Sequence, residues 1–561
     1  MSRTSFDSKV QKTEAIVNNH AEKDPSSVAG DSDSAQVPGR VGEGDRVYPE
    51  GMKLILILVS LYLCMFLVAL DRTILTTAIP RITDEFNSLG DVGWYASSYL
   101  ITSCSFQLVF GRVYKFFSTK LVLLICIGIF EVGSAVCGAA PSSTAFIVAR
   151  AISGLGSAGI FSGCIVVIVS IIPLRKRPLY QGLFGAVFGL SSVIGPLMGG
   201  AFTSKVSWRW CFYINLPAGA VTVLILILIL SLPPIDQSSK TIRQKLWLMD
   251  PIGTCILLPA CVCLLLALQW GGTTYAWKNA RIISLLILGG LFLISFMGVQ
   301  IWKGDAATTP PRIVRQRSVA AGMLYSICSG SAMIVMIYYM PIWFQAIQGV
   351  TAVESGIRMI PLVLSLVLGS ILAGFVTFKV GYYKPQMIIA SVVMSTGAGL
   401  LTLLEPHSGK GKWIGFQIIF GLGLGTGMQQ PGMAAQTVLK FSDIPIGTSM
   451  MFFMQFFGGA IFASVAQNIF TNRLIALLAA DVPGIDARVV VNAGATDLRS
   501  VAPPEYLDAI LNAYNGAIVD ALYVSVAMSC ATIVGALMME MKSVKEGKKA
   551  VPASVKGAEA A

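Results

Sequence analysis

Apolar runs of about 20 residues recur along the chain from Leu54 onward, and short polar segments separate them. A helix of this length crosses about 30 Å of hydrocarbon. Inside lipid the backbone must satisfy its own hydrogen bonds, so such runs predict transmembrane helices. The pattern predicts fourteen spans, at 54–77, 92–112, 121–139, 144–170, 179–203, 211–231, 251–270, 282–302, 319–344, 356–378, 387–404, 413–438, 447–470 and 516–540.

Polar stretches on either side of the seventh and eighth spans divide the set into six, two and six. The sequence therefore predicts an all-α polytopic membrane protein with these parts: a disordered tail at 1–50, an N-terminal six-helix bundle at 54–231, a linker with two extra transmembrane helices at 232–317, a C-terminal six-helix bundle at 318–541 that includes a loop at 471–515, and a second tail at 542–561. Two six-helix halves are typical of secondary transporters, in which the substrate path lies between the halves.

Composition narrows the class of protein further. Only 12% of the residues are charged and 55% are hydrophobic, whereas about 25% of a soluble domain is charged. This balance excludes a water-soluble enzyme and a disordered protein. The net charge of +12 does not indicate nucleic-acid binding, because the basic residues lie mainly at the ends of apolar runs, where they set topology.

The distribution of basic residues predicts the orientation. Short loops on the side of the termini hold 16 Lys and Arg residues, and the short loops opposite hold 8. Basic residues concentrate on the cytoplasmic side, so both tails are expected there and the loop at 471–515 outside. The plasma membrane is the expected location, with the vacuolar membrane as the alternative.

A few charged residues remain within the predicted spans, namely Asp71, Arg72, Glu131, Arg150 and Asp520. A charge at the centre of a bilayer costs about 2.5–3.5 kcal/mol on insertion scales, so it marks an ion pathway or an interhelical pair. Asp71 and Glu131 are candidates for carrying a proton. An ion pair that joins helices is the alternative for each, with Arg150 pairing Glu131 or binding carbonyls. Asp520 is expected at the membrane interface.

Several strings resemble a transporter family. The stretch from Leu70 to Pro80 resembles the first-helix signature of the fourteen-spanner drug:proton antiporters of the major facilitator superfamily. Arg150 to Gly156 resembles the fourth-helix motif of the superfamily, whose arginine is implicated in proton transfer. The resemblance implies the major facilitator fold, with Asp71 or Glu131 binding a proton and Arg150 tuning that carboxylate.

The fifth span carries the strongest likeness, to the signature that marks exporters within the superfamily. The matching residues are Gly182, Ser191 in place of one glycine, Gly195, Pro196, Gly199 and Gly200. Small residues let helices approach closely, and we expect Gly195 and Pro196 to form the moving contact between the halves. The strings 173–178 and 208–217 are similar to those of fungal exporters of mycotoxins and other secondary metabolites.

One position departs from the family. The loop after the second span usually carries an Asp five residues into a glycine-led motif, and Lys115 stands there in this chain. The conformational latch attributed to that Asp is therefore not expected in its usual form.

The candidates for a substrate cavity are the aromatic and amide residues Tyr338, Trp343, Gln345, Gln429 and Gln430. An interfacial aromatic belt is the alternative for the aromatic residues. The glycine-rich run at 421–427 is expected to pack helices. It is not a nucleotide loop, and no cofactor or metal is expected.

The leading hypothesis is a proton-driven exporter of small hydrophobic organic compounds that works as a monomer. Its expected partners are the substrate, protons and the lipid bilayer. An importer of siderophores or other small molecules, from the same superfamily, is one alternative. A receptor or membrane enzyme is the other, but a transferase would show an ordered His/Asp or Ser/His arrangement, and neither histidine lies in a predicted span.

Overall fold

The computed structural model describes residues 48–88, 91–232, 241–272, 275–482 and 504–545. The regular structure in these ranges is helical, apart from two isolated β-bridges. The predicted tails lie largely outside the described residues. The helices are α1 (Gly51–Phe86), α2 (Val92–Phe116), α3 (Thr119–Ala139), α4 (Ser143–Ile171), α5 (Arg177–Lys205), α6 (Trp210–Tyr213), α7 (Asn215–Ile229), α8 (Ile242–Leu248), α9 (Pro251–Trp270), α10 (Ala280–Lys303), α11 (Pro311–Val314), α12 (Arg317–Ala346), α13 (Ala352–Arg358), α14 (Ile360–Val380), α15 (Lys384–Leu401), α16 (Lys410–Met428), α17 (Gln430–Val438), α18 (Ile444–Asp481) and α19 (Leu507–Met538).

Among the described residues, 11 helical segments are long and apolar enough to cross a membrane. Helices α2, α15 and α16 have 25, 18 and 19 residues but are less apolar. In α2 the polar residues face protein rather than lipid: Ser103 donates to the carbonyl oxygen of Gly154 at 2.9 Å, and Gln107 donates to Ser162 at 2.8 Å. A helix that is surrounded by protein in this way does not need apolar residues on all of its faces.

Three predicted spans are broken, at Ile214, Met359 and Gln429. In the second and third of these, a proline lies in the first turn of the helix that follows the break, namely Pro361 in α14 and Pro431 in α17. Proline lacks an N–H and suits the first turn of a helix, where that donor has no partner in any case.

The helices on either side extend into the predicted loop at 471–515, since α18 continues to Asp481 and α19 begins at Leu507. Leu474 and Leu478 are buried one turn apart. The apolar face of α18 therefore extends beyond the point where the sequence stops being continuously apolar. Asp520, expected at an interface, lies within α19 and pairs with Arg473 of α18 at 2.7 Å.

The long helices form two packed groups. Helices α1 to α7 enclose one apolar core, and α12 to α19 enclose another. The groups meet mainly along two helix pairs, α2 with α18 and α5 with α14. Helix α9 packs on α2, α18 and α10, while α10 presents exposed apolar side chains such as Ile287, Leu291 and Ile294. The end of this assembly where α2 ends and α18 begins is called the basic end below.

Candidate functional site

Two charged side chains from different helices form a buried ion pair. Asp71 on α1 is 0% exposed, and Arg150 on α4 is 1% exposed. Nη1 of Arg150 lies 2.5 Å from Oδ2 of Asp71. Nε of Arg150 donates to the carbonyl oxygen of Tyr95 at 3.0 Å, and the guanidinium lies 4.5 Å from the centre of the Tyr99 ring. The pair therefore ties α1 and α4 to α2.

The pairing of Asp71 is incomplete. Its buried Oδ1 has no hydrogen-bond partner among the described residues. Removing two charges from water costs several kcal/mol for each ion, and extra hydrogen bonds normally offset part of that cost. A carboxylate with one unpaired oxygen is poorly explained as a device that only joins helices. The geometry leaves a position where a proton can bind.

Glu131 does not join this pair. It lies on α3 against α7, where a Cβ added at Gly219 would collide with its carboxyl group. Both carboxyl oxygens are buried and have no hydrogen-bond partner in the part of the chain that the structure describes. The acidic partner that the structure gives Arg150 is Asp71.

Arg72 occupies an aromatic site that the sequence did not reveal. Its guanidinium lies 5.2 Å from the ring centre of Tyr99, 5.4 Å from that of Phe161 and 4.7 Å from that of Phe456. A cation over aromatic faces is stabilised by about 2 kcal/mol when it is desolvated. Phe456 belongs to α18, so this contact joins the two helix groups beside the Asp71–Arg150 pair. In the sequence, the indication of this site is that Arg72 is a second charged residue in the first predicted span.

The exporter signature on α5 packs against α1 over its second half. A Cβ added at Gly195 would lie 2.2 Å from Oγ1 of Thr73, and one at Gly199 would lie 2.1 Å from Oγ1 of Thr77. Ser191 accepts a hydrogen bond from Thr73 at its carbonyl oxygen, at 3.0 Å. Only glycine permits so close an approach. It places α5 against α1 at Thr73, two residues after Asp71.

The first half of α5 faces the other helix group. A Cβ added at Gly182 would lie 2.7 Å from the carbonyl oxygen of Ser370 on α14, and Ser370 donates back to the carbonyl oxygen of Gly182 at 2.9 Å. Gly195 thus faces α1 of its own group, whereas Gly182 contacts α14 of the other group; a moving contact at Gly195 and Pro196 stays a prediction. Pro196 lies near Gly356 of α13, and Gly200 faces open space.

Ion pairs link the two helix groups to the linker at the basic end. Asp443, which directly precedes α18, accepts from Lys115 of α2 at 2.8 Å and from Arg312 of α11 at 2.7 Å. Arg312 also pairs with Asp305 at 2.6 Å, and Arg112 donates to the carbonyl oxygen of Asp305 at 3.0 Å. The hydrogen bond to Asp443 outweighs partial burial and raises the pKa of Arg312. The lysine that departs from the family pattern thus has an acidic partner.

A cavity lies between the two helix groups, toward the basic end. Of the predicted substrate-cavity residues, Gln429 lines it. Three glutamines that the sequence did not single out line it as well, namely Gln181, Gln436 and Gln455. In the sequence, these glutamines are recognisable as amide residues within otherwise apolar spans.

The other four predicted substrate-cavity residues do not line this cavity. Tyr338 is exposed on the surface of α12, and Trp343 is buried and donates to Asn515 at 2.7 Å. Gln345 donates to Ser355 at 3.2 Å. Gln430 donates to Gln386 at 3.0 Å on the side of α17 that faces α15. The side chains of Trp343, Gln345 and Gln430 pack within the second helix group, and that of Tyr338 lies on its surface, because α12 and α17 each turn only part of their surface toward the cavity.

The glycine-rich run on α16 packs helices, as the sequence predicts. A Cβ added at Gly421 would lie 2.3 Å from the carbonyl oxygen of Leu362, and one at Gly425 would lie 2.1 Å from that of Leu366, both on α14. Gly423 approaches Met394 of α15 as closely. The glycine run therefore lets α16 pack closely against both α14 and α15.

Long apolar helices, buried ionisable residues and a cavity between two helix groups define a multi-pass membrane transporter. The chain matches the Major Facilitator Superfamily over residues 61–463 and belongs to that family. The family and its relatives are transporters and efflux pumps rather than enzymes. The resemblance to a major facilitator transporter is thereby confirmed.

Curated relatives cover nearly the whole chain. The chain is 51% identical to the MFS-type transporter VdtG of Byssochlamys spectabilis, over 89% of this chain and 90% of that protein. It is 51% identical to the efflux pump aflT of Aspergillus parasiticus, over 89% of this chain and 97% of that protein. It is 48% identical to the rubrofusarin-specific efflux pump aurT of Gibberella zeae, over 89% and 91% respectively.

A solved structure shares the fold. The crystal structure of the human organic anion transporter MFSD10 aligns with a TM-score of 0.55 over 85% of this chain and 100% of that chain, at 12% identity. At this identity the likeness shows the all-helical fold of the superfamily alone.

Proposed function

We propose that this transporter exports small hydrophobic organic compounds, of the toxin, secondary-metabolite or drug type, in exchange for protons. Relatives of about half-identical sequence are efflux pumps, one of them specific for rubrofusarin. The observation that carries the proton coupling is the buried Asp71–Arg150 pair with its unpaired oxygen. A buried ionisable group in a span is functional by default.

In this mechanism, Asp71 gains a proton and loses its charge. The attraction to Arg150 then ends, while Arg150 keeps its hydrogen bond to the carbonyl oxygen of Tyr95 and its position over Tyr99. The contact between α1 and α4 weakens, and the balance between two arrangements of the helix groups shifts. A proton can shift that balance only because it binds the two arrangements with different affinity. Glu131 is the second candidate for the proton, on α3.

We further propose fourteen spans arranged as six, two and six. The contacts between the groups support this arrangement. Helix α2 is the second span of the first six and meets α18, the fifth span of the last six; α5 and α14 are related in the opposite sense. Such reciprocal pairing is what two repeats related by an axis along the membrane normal produce. Both termini are cytoplasmic, and the plasma membrane is the expected site.

The ion pairs around Asp443 close the basic end in this mechanism. Lys115 and Asp443 belong to different helix groups and are 2.8 Å apart. Rocking the groups apart at this end separates the pair. Lys115 thus supplies one half of a latch at the position where the family usually has an Asp, with Asp443 as its partner.

The test is Asp71→Asn in sealed vesicles with an imposed pH gradient, using 1,8-dihydroxyanthraquinone as the transported probe. We expect gradient-driven transport to fall by at least about 100-fold, while exchange of probe without a gradient continues. Asp520→Asn is the matched control, since it removes an acid from α19 that is partly exposed and paired with Arg473. Gradient-driven transport by Asp71→Asn at the wild-type rate contradicts the assigned role.

A further inference from the structure

The chain continues past α19 as a short segment that folds back across the basic end of the second helix group. This segment, residues 539–545, is called the C-terminal strap below. Ser543 forms an antiparallel β-bridge with Tyr382, and the backbone N–H of Val544 donates to the carbonyl oxygen of Gly381 at 2.8 Å. The C-terminal strap therefore crosses the turn between α14 and α15.

Polar contacts hold the C-terminal strap near both of its ends. The carboxylate of Glu540 accepts from the side chains of Gln316 and Ser318, where α12 begins, at 3.0 Å in both cases. At the other end, Nζ of Lys545 donates to the carbonyl oxygen of Lys379 at the end of α14. The strap thus joins α12 to α14 and to the turn that leads into α15.

Two apolar side chains of the C-terminal strap are buried. Met539 is 0% exposed and Val544 is 2% exposed, whereas Met541 between them is 61% exposed. The two buried side chains complete an apolar cluster with residues of α12, α15, α17 and α19. Removal of apolar surface from water stabilises this arrangement, so a charge in place of Val544 is incompatible with it.

The first helix group also touches this apolar cluster. Leu174, in the short connection between α4 and α5, packs against it. The guanidinium of the adjacent Arg175 lies 5.6 Å from the ring centre of Phe378, near the end of α14. This contact lies where α5 meets α14, whereas the ion pair between Lys115 and Asp443 lies where α2 meets α18. The two groups therefore touch at the basic end along both pairs of helices.

We infer that the C-terminal strap controls how readily the basic end opens. While the strap is in place, Met539 and Val544 complete the cluster that Leu174 packs against, and the groups are held together where α5 meets α14. When the strap leaves, the cluster loses two of its buried side chains, and the closed arrangement loses a contact that the open one lacks. The inference rests on the proposed function in one respect, namely that the basic end opens during transport.

The test measures this opening in the full-length protein in lipid nanodiscs, without a transported probe or a proton gradient. Spin labels at Lys176→Cys and Val380→Cys report the distance between the start of α5 and the end of α14. The background carries Cys255→Ser and Cys530→Ser, because both of these cysteines are exposed. Val544→Asp displaces the strap. We expect the fraction of molecules with the longer distance to rise at least about fivefold, as for the loss of one buried apolar contact.

Met541→Asp is the matched control, because it adds the same charge at an exposed position of the C-terminal strap, three residues away. It leaves the distances unchanged. Leu174→Ala removes the other half of the contact, and we expect it to raise the open fraction by about fivefold as well. Combined with Val544→Asp it adds little, because both changes remove the same contact. Leu174→Ala also tests the inference if Val544→Asp does not fold.

Two results overturn the inference. One is a Val544→Asp protein of lower thermal stability with wild-type distances, since the strap then serves the fold alone. The other is full additivity of Leu174→Ala and Val544→Asp, since the two side chains then act independently. The distances are measured without a proton gradient, so a failure of the role of Asp71 in transport leaves this result interpretable.

Discussion

Asp71 and Asp250 are both fully buried carboxylates, yet their surroundings differ completely. Asp250 precedes α9 with a positive φ of 54° and accepts five hydrogen bonds. The donors are the backbone N–H of Gly253, the side chains of Lys303 and Gln300, and both the backbone N–H and the hydroxyl group of Thr308, at 2.8–2.9 Å. Within the described residues, Asp71 has one ion pair, and its Oδ1 has no hydrogen-bond partner.

The contrast separates a structural charge from a candidate working charge. Asp250 has its negative charge fully compensated, and it ties the start of α9 to the end of α10 and the segment that follows. Proton binding there breaks several contacts at once. Asp71 loses one ion pair on protonation, and its Oδ1 has no hydrogen-bond partner among the described residues. Burial alone thus does not distinguish the two carboxylates; the completeness of their pairing does.

The largest effect is expected when Asp71 loses its partner. Arg150→Met leaves a buried charge uncompensated, which costs about 3–5 kcal/mol. We expect a large loss of folded protein in thermal unfolding of detergent extracts. The double variant with Asp71→Asn regains most of this stability, because the unpaired charge is gone, yet it still lacks gradient-driven transport. A double variant as unstable as Arg150→Met alone contradicts the ion-pair interpretation.

The second prediction sharpens the other side of the comparison. Asp250→Asn removes the charge that compensates Lys303, and hydrogen bonds to a charged group contribute about 1.5–3 kcal/mol each. We expect a loss of about 2–3 kcal/mol in stability with an unchanged transport rate per folded molecule. Thermal unfolding and transport, both normalised to folded protein, measure the two quantities. A selective loss of transport places Asp250 in the transport mechanism instead.

The pH dependence of stability provides the third prediction. Burial favours a raised pKa for Asp250, but the hydrogen bonds from Lys303, Gln300, Gly253 and Thr308 outweigh it and lower the pKa to about 2. A carboxyl pKa that is lower in the folded state stabilises the protein above the unfolded value of about 3.9. This contribution, about 2–3 kcal/mol, is constant above pH 5 and declines from pH 4 toward pH 2. Asp250→Asn removes this part of the acid sensitivity in thermal unfolding at graded pH.

The smallest effect is expected at the basic end, because Asp443 keeps a second partner, Arg312, when Lys115 is replaced. Lys115→Gln removes one of the two partners of this buried carboxylate, and because Arg312 still compensates its charge we expect a loss of about 1 kcal/mol. We expect the basic end to open in about fivefold more molecules, as measured by spin-label distances between α2 and α18. Glu354→Gln, which removes an exposed pair within α13, leaves the distances unchanged. Unchanged distances in Lys115→Gln mean that the pair does not act as a latch.

The sequence predicts the helices well and their contacts poorly. Each long apolar run predicts a helix because lipid permits little else, and α3 and α4 lie close to their expected bounds. The bounds fail where burial depends on partners, as at Leu474 and Leu478. The residues Asp71 and Arg150 are 79 positions apart, and only tertiary packing brings them together. Gln181 and Gln436 are also identified only once the two helix groups are placed side by side.

Helix α10 makes bilayer thickness relevant to this protein. Its apolar stretch between Arg281 and Lys303, residues 282–302, spans about 32 Å at 1.5 Å per residue, close to the roughly 30 Å of hydrocarbon in an average bilayer. In a thinner bilayer such a helix tilts. The last residue of α10 is Lys303, one of the donors to Asp250. We therefore expect acyl chain length to act, through the tilt of α10, on the hydrogen bonds between Lys303 and Asp250 that anchor the linker between the two helix groups.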